Sequence, residues 1–152
     1  MAKVIVPRTD YIRQLDSYRS DTDLLKIVTG VRRCGKSELL RQFVQHLMEE
    51  GVPESKILYI DMERSRYVID SERMLYETIR NAIQGDGCYI IIDEVHFVKG
   101  WERVVSTARN EFRANIYLTE SNSNMLSDDL ATHVTGRYAT IHVMPFSFKE
   151  FI

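Results

Sequence analysis

The chain has 152 residues, a formal net charge of −2, 44% hydrophobic and 28% charged residues, the proportions of one globular domain with its own core. It has no basic run, so composition does not indicate nucleic-acid binding. The charged N-terminus and the lack of a long apolar stretch argue against a signal peptide or membrane span, which makes the cytoplasm the expected compartment.

Residues 1–23 carry scattered Tyr11, Ile12, Leu15 and Tyr18, consistent with one short helix, a leader that packs against the sheet or, as the alternative, beside the base of a nucleotide. Leu24-Leu25-Lys26-Ile27-Val28 reads as a buried strand. It runs into Gly30-Val31-Arg32-Arg33-Cys34-Gly35-Lys36-Ser37, the Gly-x-x-x-x-Gly-Lys-Ser pattern of a phosphate-binding loop. Gly30 and Gly35 permit backbone angles closed to other residues, so that successive N–H groups can turn inward around phosphate oxygens. Lys36 brings a point charge to the outer phosphates, and the Ser37 hydroxyl can ligate Mg²⁺. From Glu38 on, Leu39, Phe43, Leu47 and Leu40, Val44, Met48 form one broad helical face. The positive end of that helix points at the phosphate. Residues 30–38, Glu38 included, are therefore the candidate nucleotide-binding stretch.

Gly51 and Pro53 end this helix. Lys56–Asp61 reads as a second strand, and Asp61, Glu63, Arg64 and Arg66 as a charged loop. Asp70 or Ser71 can cap a helix with Leu75, Ile79 and Ile83 on its apolar face and Met74, Thr78 and Ala82 beside them. Gly85-Asp86-Gly87 closes it. Cys88-Tyr89-Ile90-Ile91-Ile92-Asp93 is an unbroken apolar run closing on an acid, the mark of a strand buried on both faces. Gly100 opens a helix with Trp101, Val104, Val105, Ala108 and Phe112 inward. Asn115–Thr119 is a fourth strand, residues 127–133 a short helix, and Tyr138–Val143 a fifth strand. Strands alternating with helices predict an α/β fold: a three-layer αβα core around a five-stranded, mainly parallel sheet. In that arrangement Cys34 and Cys88 lie at opposite ends of the sheet, about 15–20 Å apart and beyond disulfide reach. Cys34 is either a small residue that fits the loop or a thiol activated by the helix N-terminus.

The chemistry then concentrates at strand ends. Asp93 stands where a P-loop enzyme needs an acid to hold Mg²⁺, and Glu94 beside it can polarise an attacking water. Ser121 or Asn122, after the fourth strand, can hydrogen-bond that water or the terminal phosphate. Arg137 can neutralise charge on the transferred phosphoryl, within one chain or across a subunit interface. His96 can relay a hydrogen bond. His46, His133 and His142 show no metal-ligand spacing with it. At the end, Ser147 and Glu150 form a capping box inside a Phe146/Phe151 staple. A helix should follow this start, so the chain is expected to be part of a longer protein, with residues 24–144 the core and 145–152 the start of a C-terminal region.

Thr29-Gly30-Val31-Arg32-Arg33-Cys34-Gly35-Lys36-Ser37, Ile92-Asp93-Glu94-Val95-His96 with Gly100-Trp101-Glu102, Leu118-Thr119-Glu120-Ser121-Asn122-Ser123, Thr135-Gly136-Arg137-Tyr138 and Pro145-Phe146-Ser147-Phe148-Lys149-Glu150-Phe151 occur in that order. Together they resemble the AAA-type ATPase domain of prokaryotic proteins that carry a further C-terminal domain of poorly defined function. The resemblance implies a core with a strand added between the P-loop strand and the Asp93 strand, ATP with Mg²⁺, and hydrolysis. By the same match Gly35, Lys36 and Ser37 are Walker A residues, Asp93 and Glu94 are Walker B, and Ser121 or Asn122 holds the sensor position. One departure stands out: Glu120 occupies a position that is glycine in the family. A carboxylate about 5 Å from a phosphate oxygen would repel it by about 3 kcal/mol at a dielectric near 20, so weakened nucleotide binding or turnover is expected unless Arg137 or another cation pairs with Glu120. Two functions follow. One is ATP hydrolysis that powers or gates a C-terminal domain. The other is a nucleotide-gated binding or assembly switch with little hydrolysis. Homo-oligomerisation is compatible with either. No acceptor site or lid points to a small-molecule kinase.

Overall fold

The computed structural model describes residues 9–22, 24–30, 35–83, 85–121 and 137–144. The loop positions 31–34, Asn122, the expected helix at 127–133 and the capping box at Ser147 lie outside them. The elements are α1 (Thr9–Ser17), β1 (Leu24–Thr29), α2 (Lys36–Glu49), β2 (Ile57–Asp61), α3 (Met62–Ser65), α4 (Glu72–Ala82), β3 (Tyr89–Asp93), α5 (Trp101–Phe112), β4 (Asn115–Glu120) and β5 (Arg137–His142). The strands form a five-stranded sheet in the order β2-β3-β4-β1-β5, and each neighbouring pair is parallel. The expected α/β architecture is therefore observed, with β4 inserted between β1 and β3.

Two apolar layers cover the sheet. Strand residues alternate between faces. Ile90, Ile92, Ile116 and Leu118 pack with Leu75 and Ile79 of α4 and Trp101, Val105 and Ala108 of α5. Ile91, Val28 and Tyr117 pack on the other side with Leu39, Phe43 and Leu47 of α2 and Leu15 of α1. The leader helix thus shares the core of the sheet, and the Tyr117 hydroxyl donates to the Leu15 carbonyl oxygen at 2.9 Å. Just past α1, Arg19 donates to the Tyr89 hydroxyl at 3.0 Å and to Asp16 at 2.9 Å, and also pairs with Glu50 after α2. These contacts fasten the end of the leader beside the amino-terminal end of β3, while its start reaches the carboxyl edge of the sheet, where the Tyr11 hydroxyl accepts the Met144 N–H at 3.1 Å. Burial opposes ionisation of Asp16, but hydrogen bonds from Arg19 and His46 outweigh it and hold the carboxyl below its usual range.

One local expectation is corrected and two are narrowed. The stretch after β2 is a turn of helix rather than a loop, because the Asp61 side chain accepts from the N–H groups of Glu63 and Arg64 at 3.1 and 3.4 Å and so satisfies donors that would otherwise be orphaned. Ser71, not Asp70, caps α4, accepting from the Met74 N–H at 3.2 Å. Met48 and Met74 sit at the rim of their helical faces, each 38% exposed. No helix among the described residues is long and apolar enough to cross a membrane.

Lys26 is fully buried in the middle of β1. Its ammonium donates to the Asp21 carbonyl and the Asn115 Oδ1, both at 2.8 Å, and lies 5.0 Å from the Tyr117 ring centroid. Burial pushes its pKa down to about 8, against a smaller opposing pull from Asp21. Between pH 8 and the ordinary lysine value the unfolded chain therefore binds the extra proton, and stability rises with pH. Tyr59 and Tyr117 act oppositely. Burial first, then the neighbouring Asp93 or Tyr89, raises both phenols above the usual value of 10, so stability falls once unfolded tyrosines ionise. Urea unfolding from pH 7 to 11 is expected to show a rise of about 2 kcal/mol that peaks near pH 10 and then reverses, with the rise absent in Lys26→Met.

Candidate functional site

The residues that bear chemistry meet at the carboxyl ends of β1, β3 and β4, where ligands of open parallel sheets bind. Register brings them together. Thr29 pairs with Glu120 across β1 and β4, and Ile92 pairs with Leu118 across β3 and β4, so Asp93 faces Thr119. The Thr119 hydroxyl donates to Asp93 Oδ1 at 2.5 Å and accepts the Glu94 N–H at 2.7 Å. One buried side chain thereby orients both acids. Tyr59 on β2 adds a hydroxyl 3.4 Å from Asp93 Oδ2.

Gly35 precedes α2 with φ 96°, a left-handed conformation that costs glycine little and other residues about 1 kcal/mol or more. This turn delivers Lys36 inward, its side chain only 3% exposed. The ammonium donates to the Gly30 carbonyl and to Ser121 Oγ, both at 2.9 Å, and Ser121 donates to Glu94 Oε1 at 2.6 Å. Lys36 Nζ is 3.8 Å from that same oxygen, and the Glu94 side chain is 15% exposed. Glu94 itself takes a left-handed backbone, φ 59°, a strained state for a residue with a Cβ. The Thr119 hydrogen bond to its N–H helps offset the strain.

The expected site residues divide three ways. Gly30, Gly35, Lys36, Ser37, Asp93 and Glu94 lie at this cluster of strand ends or on the first turn of α2 that enters it. Glu38, also on that turn, faces Arg41 at 3.5 Å. Val31, Arg32, Arg33, Cys34 and Asn122 fall outside the described residues. Arg137 begins β5 opposite Leu24, at the amino-terminal end of the strands, so its backbone sits at the far end of the sheet from Lys36. Of the two sensor candidates, Ser121 is the one observed joining Lys36 to Glu94. Thr119 was not singled out by sequence. Its only signal was a hydroxyl at the last position of an apolar strand, next to an expected acid-bearing strand.

Glu120 requires a correction. Strand alternation puts Asp93 and Thr119 on the α2 side with Ile91 and Tyr117, and Glu120 on the α5 side with Leu118. Its side chain is 0% exposed, and Oε1 lies 3.2 Å from His96 Nδ1. Among the described residues His96 is the basic group beside it, and the carboxylate points away from the face that carries Lys36.

The oxygen donors Ser37 and Asp93, with no thiol or imidazole between them, suit a hard cation such as Mg²⁺. Lys36 beside a glycine-flanked turn at a helix start suits a polyphosphate. Because Thr119 is fully buried and serves two partners, Thr119→Val should cost about 2–3 kcal/mol by leaving Asp93 and the Glu94 N–H unsatisfied. Chemical denaturation measures this, and a loss under 0.5 kcal/mol, roughly the surface-substitution range, would refute the assigned role.

A family model described as AAA domain matches residues 22–152. An uncharacterized protein of Haemophilus influenzae is 38% identical over 157 residues, an alignment covering 100% of this chain and 38% of that protein. An uncharacterized protein of Methanocaldococcus jannaschii is 30% identical over 129 residues, covering 84% of this chain and 28% of that one. The chain therefore spans well under half the length of these relatives. Among solved structures, a DNA polymerase III gamma subunit-related protein of Thermotoga maritima superposes with a TM-score of 0.62 at 14% identity, over 88% of this chain and 46% of that one. PCH-2 of C. elegans gives 0.56 at 17% identity over 91% and 41%, and a DNA replication initiation factor 0.55 at 17% over 93% and 47%. At such identities the likeness is one of fold.

Proposed function

The chain belongs to the AAA-domain family, and from that premise we propose that it binds ATP with Mg²⁺ and hydrolyses it. The observation that carries the reading is the convergence of Lys36 and Glu94. They come from two different strand–helix junctions, lie 3.8 Å apart and are joined through Ser121. A cation that can meet phosphoryl oxygens and a carboxylate that can accept a proton from water are the two functions that hydrolysis needs side by side.

In this reading backbone amides of residues 30–35 surround the phosphates, with Val31, Arg32, Arg33 and Cys34 supplying the middle of the loop and Glu38 closing the first turn of α2. Lys36 donates to the outer phosphoryl oxygens. Glu94 takes the proton of the attacking water, and Ser121 keeps it pointed toward Lys36. Ser37 and Asp93 would hold Mg²⁺, which when bound neutralises charge on the phosphates. Asn122 is proposed to orient the water. Arg137, placed at the opposite end of its strand, is proposed to act only across a subunit interface, on the site of another copy. The domain scheme is likewise proposed: a leader at 1–23, a core at 24–144 and a C-terminal region from 145 that the nucleotide cycle drives or gates. The cytoplasm is the proposed compartment.

Thermal shift with Mg-ATP, measured beside phosphate release, tests this. Lys36→Ala should abolish the shift. Glu94→Gln should keep the shift and lose at least 100-fold in turnover, the scale of general-base catalysis. A shift without release by the parent would select the nucleotide-gated switch instead.

A further inference from the structure

His96 occupies a position that the hydrolytic reading does not use. It lies in a 3₁₀ turn, Val95–Phe97, after β3, and its ring stacks on Phe97 with centroids 4.7 Å apart at 28°. Nδ1 is 3.1 Å from Glu94 Oε2 and 3.2 Å from Glu120 Oε1, close electrostatic contacts in which neither carboxylate is aligned as a hydrogen-bond acceptor. A ring nitrogen carries at most one hydrogen, so one donor stands between two carboxylates. The two carboxylates are not equivalent. Glu120 belongs to β4, is fixed by pairing with Thr29 of β1 and is fully buried. Glu94 lies on a strained turn and is partly open to solvent.

We propose that His96 is a positioning residue for Glu94, and that Glu120 is the anchor that sets its tautomer and orientation. The proposal rests on the hydrolytic reading above. Glu120 draws the Nδ1 edge of the imidazole inward by charge, the same edge meets Glu94 Oε2 electrostatically, and Ser121 hydrogen-bonds Oε1. A carboxylate restrained at both oxygens keeps its remaining lone pairs in a fixed direction, toward the water it deprotonates. Glu120 therefore serves turnover and leaves nucleotide affinity untouched. This replaces direct phosphate repulsion as its consequence, because strand alternation turns it to the other face of the sheet.

The test combines kinetics with a spectroscopic readout that needs no nucleotide. His96→Ala should lower kcat at least tenfold while the Mg-ATP dissociation constant and KM stay within twofold. His96→Gln, whose amide offers two hydrogens for two carboxylates, should retain at least a third of the parent kcat. Glu120→Ala should lower kcat at least threefold in the parent and less than twofold in the His96→Ala background. Should His96→Ala strand Glu120 and fail to fold, Glu120→Ala alone and the nitrogen spectra keep the proposal testable. In ¹⁵N-histidine protein without nucleotide, long-range correlation spectra should show His96 protonated at Nδ1, with its resonances shifted by Glu120→Ala. Full activity in His96→Ala, independent losses in the double variant, or an Nδ1 without a proton would each overturn the proposal. If the parent releases no phosphate, the hydrolytic reading fails and the positioning role fails with it. The nitrogen spectra then still decide whether Glu120 anchors His96.

Discussion

The level alignment of three strand ends is the constraint on which this molecule depends. Parallel pairing of β4 with both β1 and β3 sets Asp93 level with Thr119 and Thr29 level with Glu120, in two adjacent rows. Only then can Ser121 touch Lys36 on one side and Glu94 on the other. A slip of one residue would turn every side chain on the moved strand to the opposite face. The apolar clusters on both faces prevent such a slip, since it would drive Thr119 and Glu120 into the wrong layers. Core packing and site geometry are thus a single restraint.

Charge is concentrated at this edge, and burial makes its members interdependent. Lys36, Asp93 and Glu120 are almost wholly enclosed, and an ion taken from water without compensation costs several kcal/mol. Compensation comes in chains. Lys36 reaches Glu94 through Ser121, Asp93 is held by Thr119, and Glu94 and Glu120 share His96. Networks of this kind are rigid when complete and costly when one member is removed. Rigidity suits a site whose donors must already be aimed before a polyphosphate arrives.

The other end of the sheet is built differently. There Arg19 reaches Tyr89, Asp16 and Glu50, and buried Lys26 ties the turn after α1 to Asn115 of β4. These contacts fasten the end of the leader to the core, and Tyr11 at its start holds the Met144 N–H past β5. The backbone of Arg137 also enters at this lower edge. That is why its proposed role runs between copies of the chain rather than within one.

Much of this could be read directly from residue order. The apolar run 88–92 closing on Asp93 marked a strand buried on both sides, and glycines framing Lys36 marked a turn into a helix. Both are local patterns whose physics acts over a few residues, so they survive without tertiary knowledge. What the sequence by itself determined was therefore the kinds of element, their order, and which acids and bases end them. Strand order, register and face were decided only by tertiary packing. That packing chose Ser121 as the link, gave Thr119 two partners, and turned Glu120 toward His96. The reason is that side-chain direction in a sheet depends on pairing with distant strands, and no local pattern encodes a contact between residues 36 and 121 or between 96 and 120.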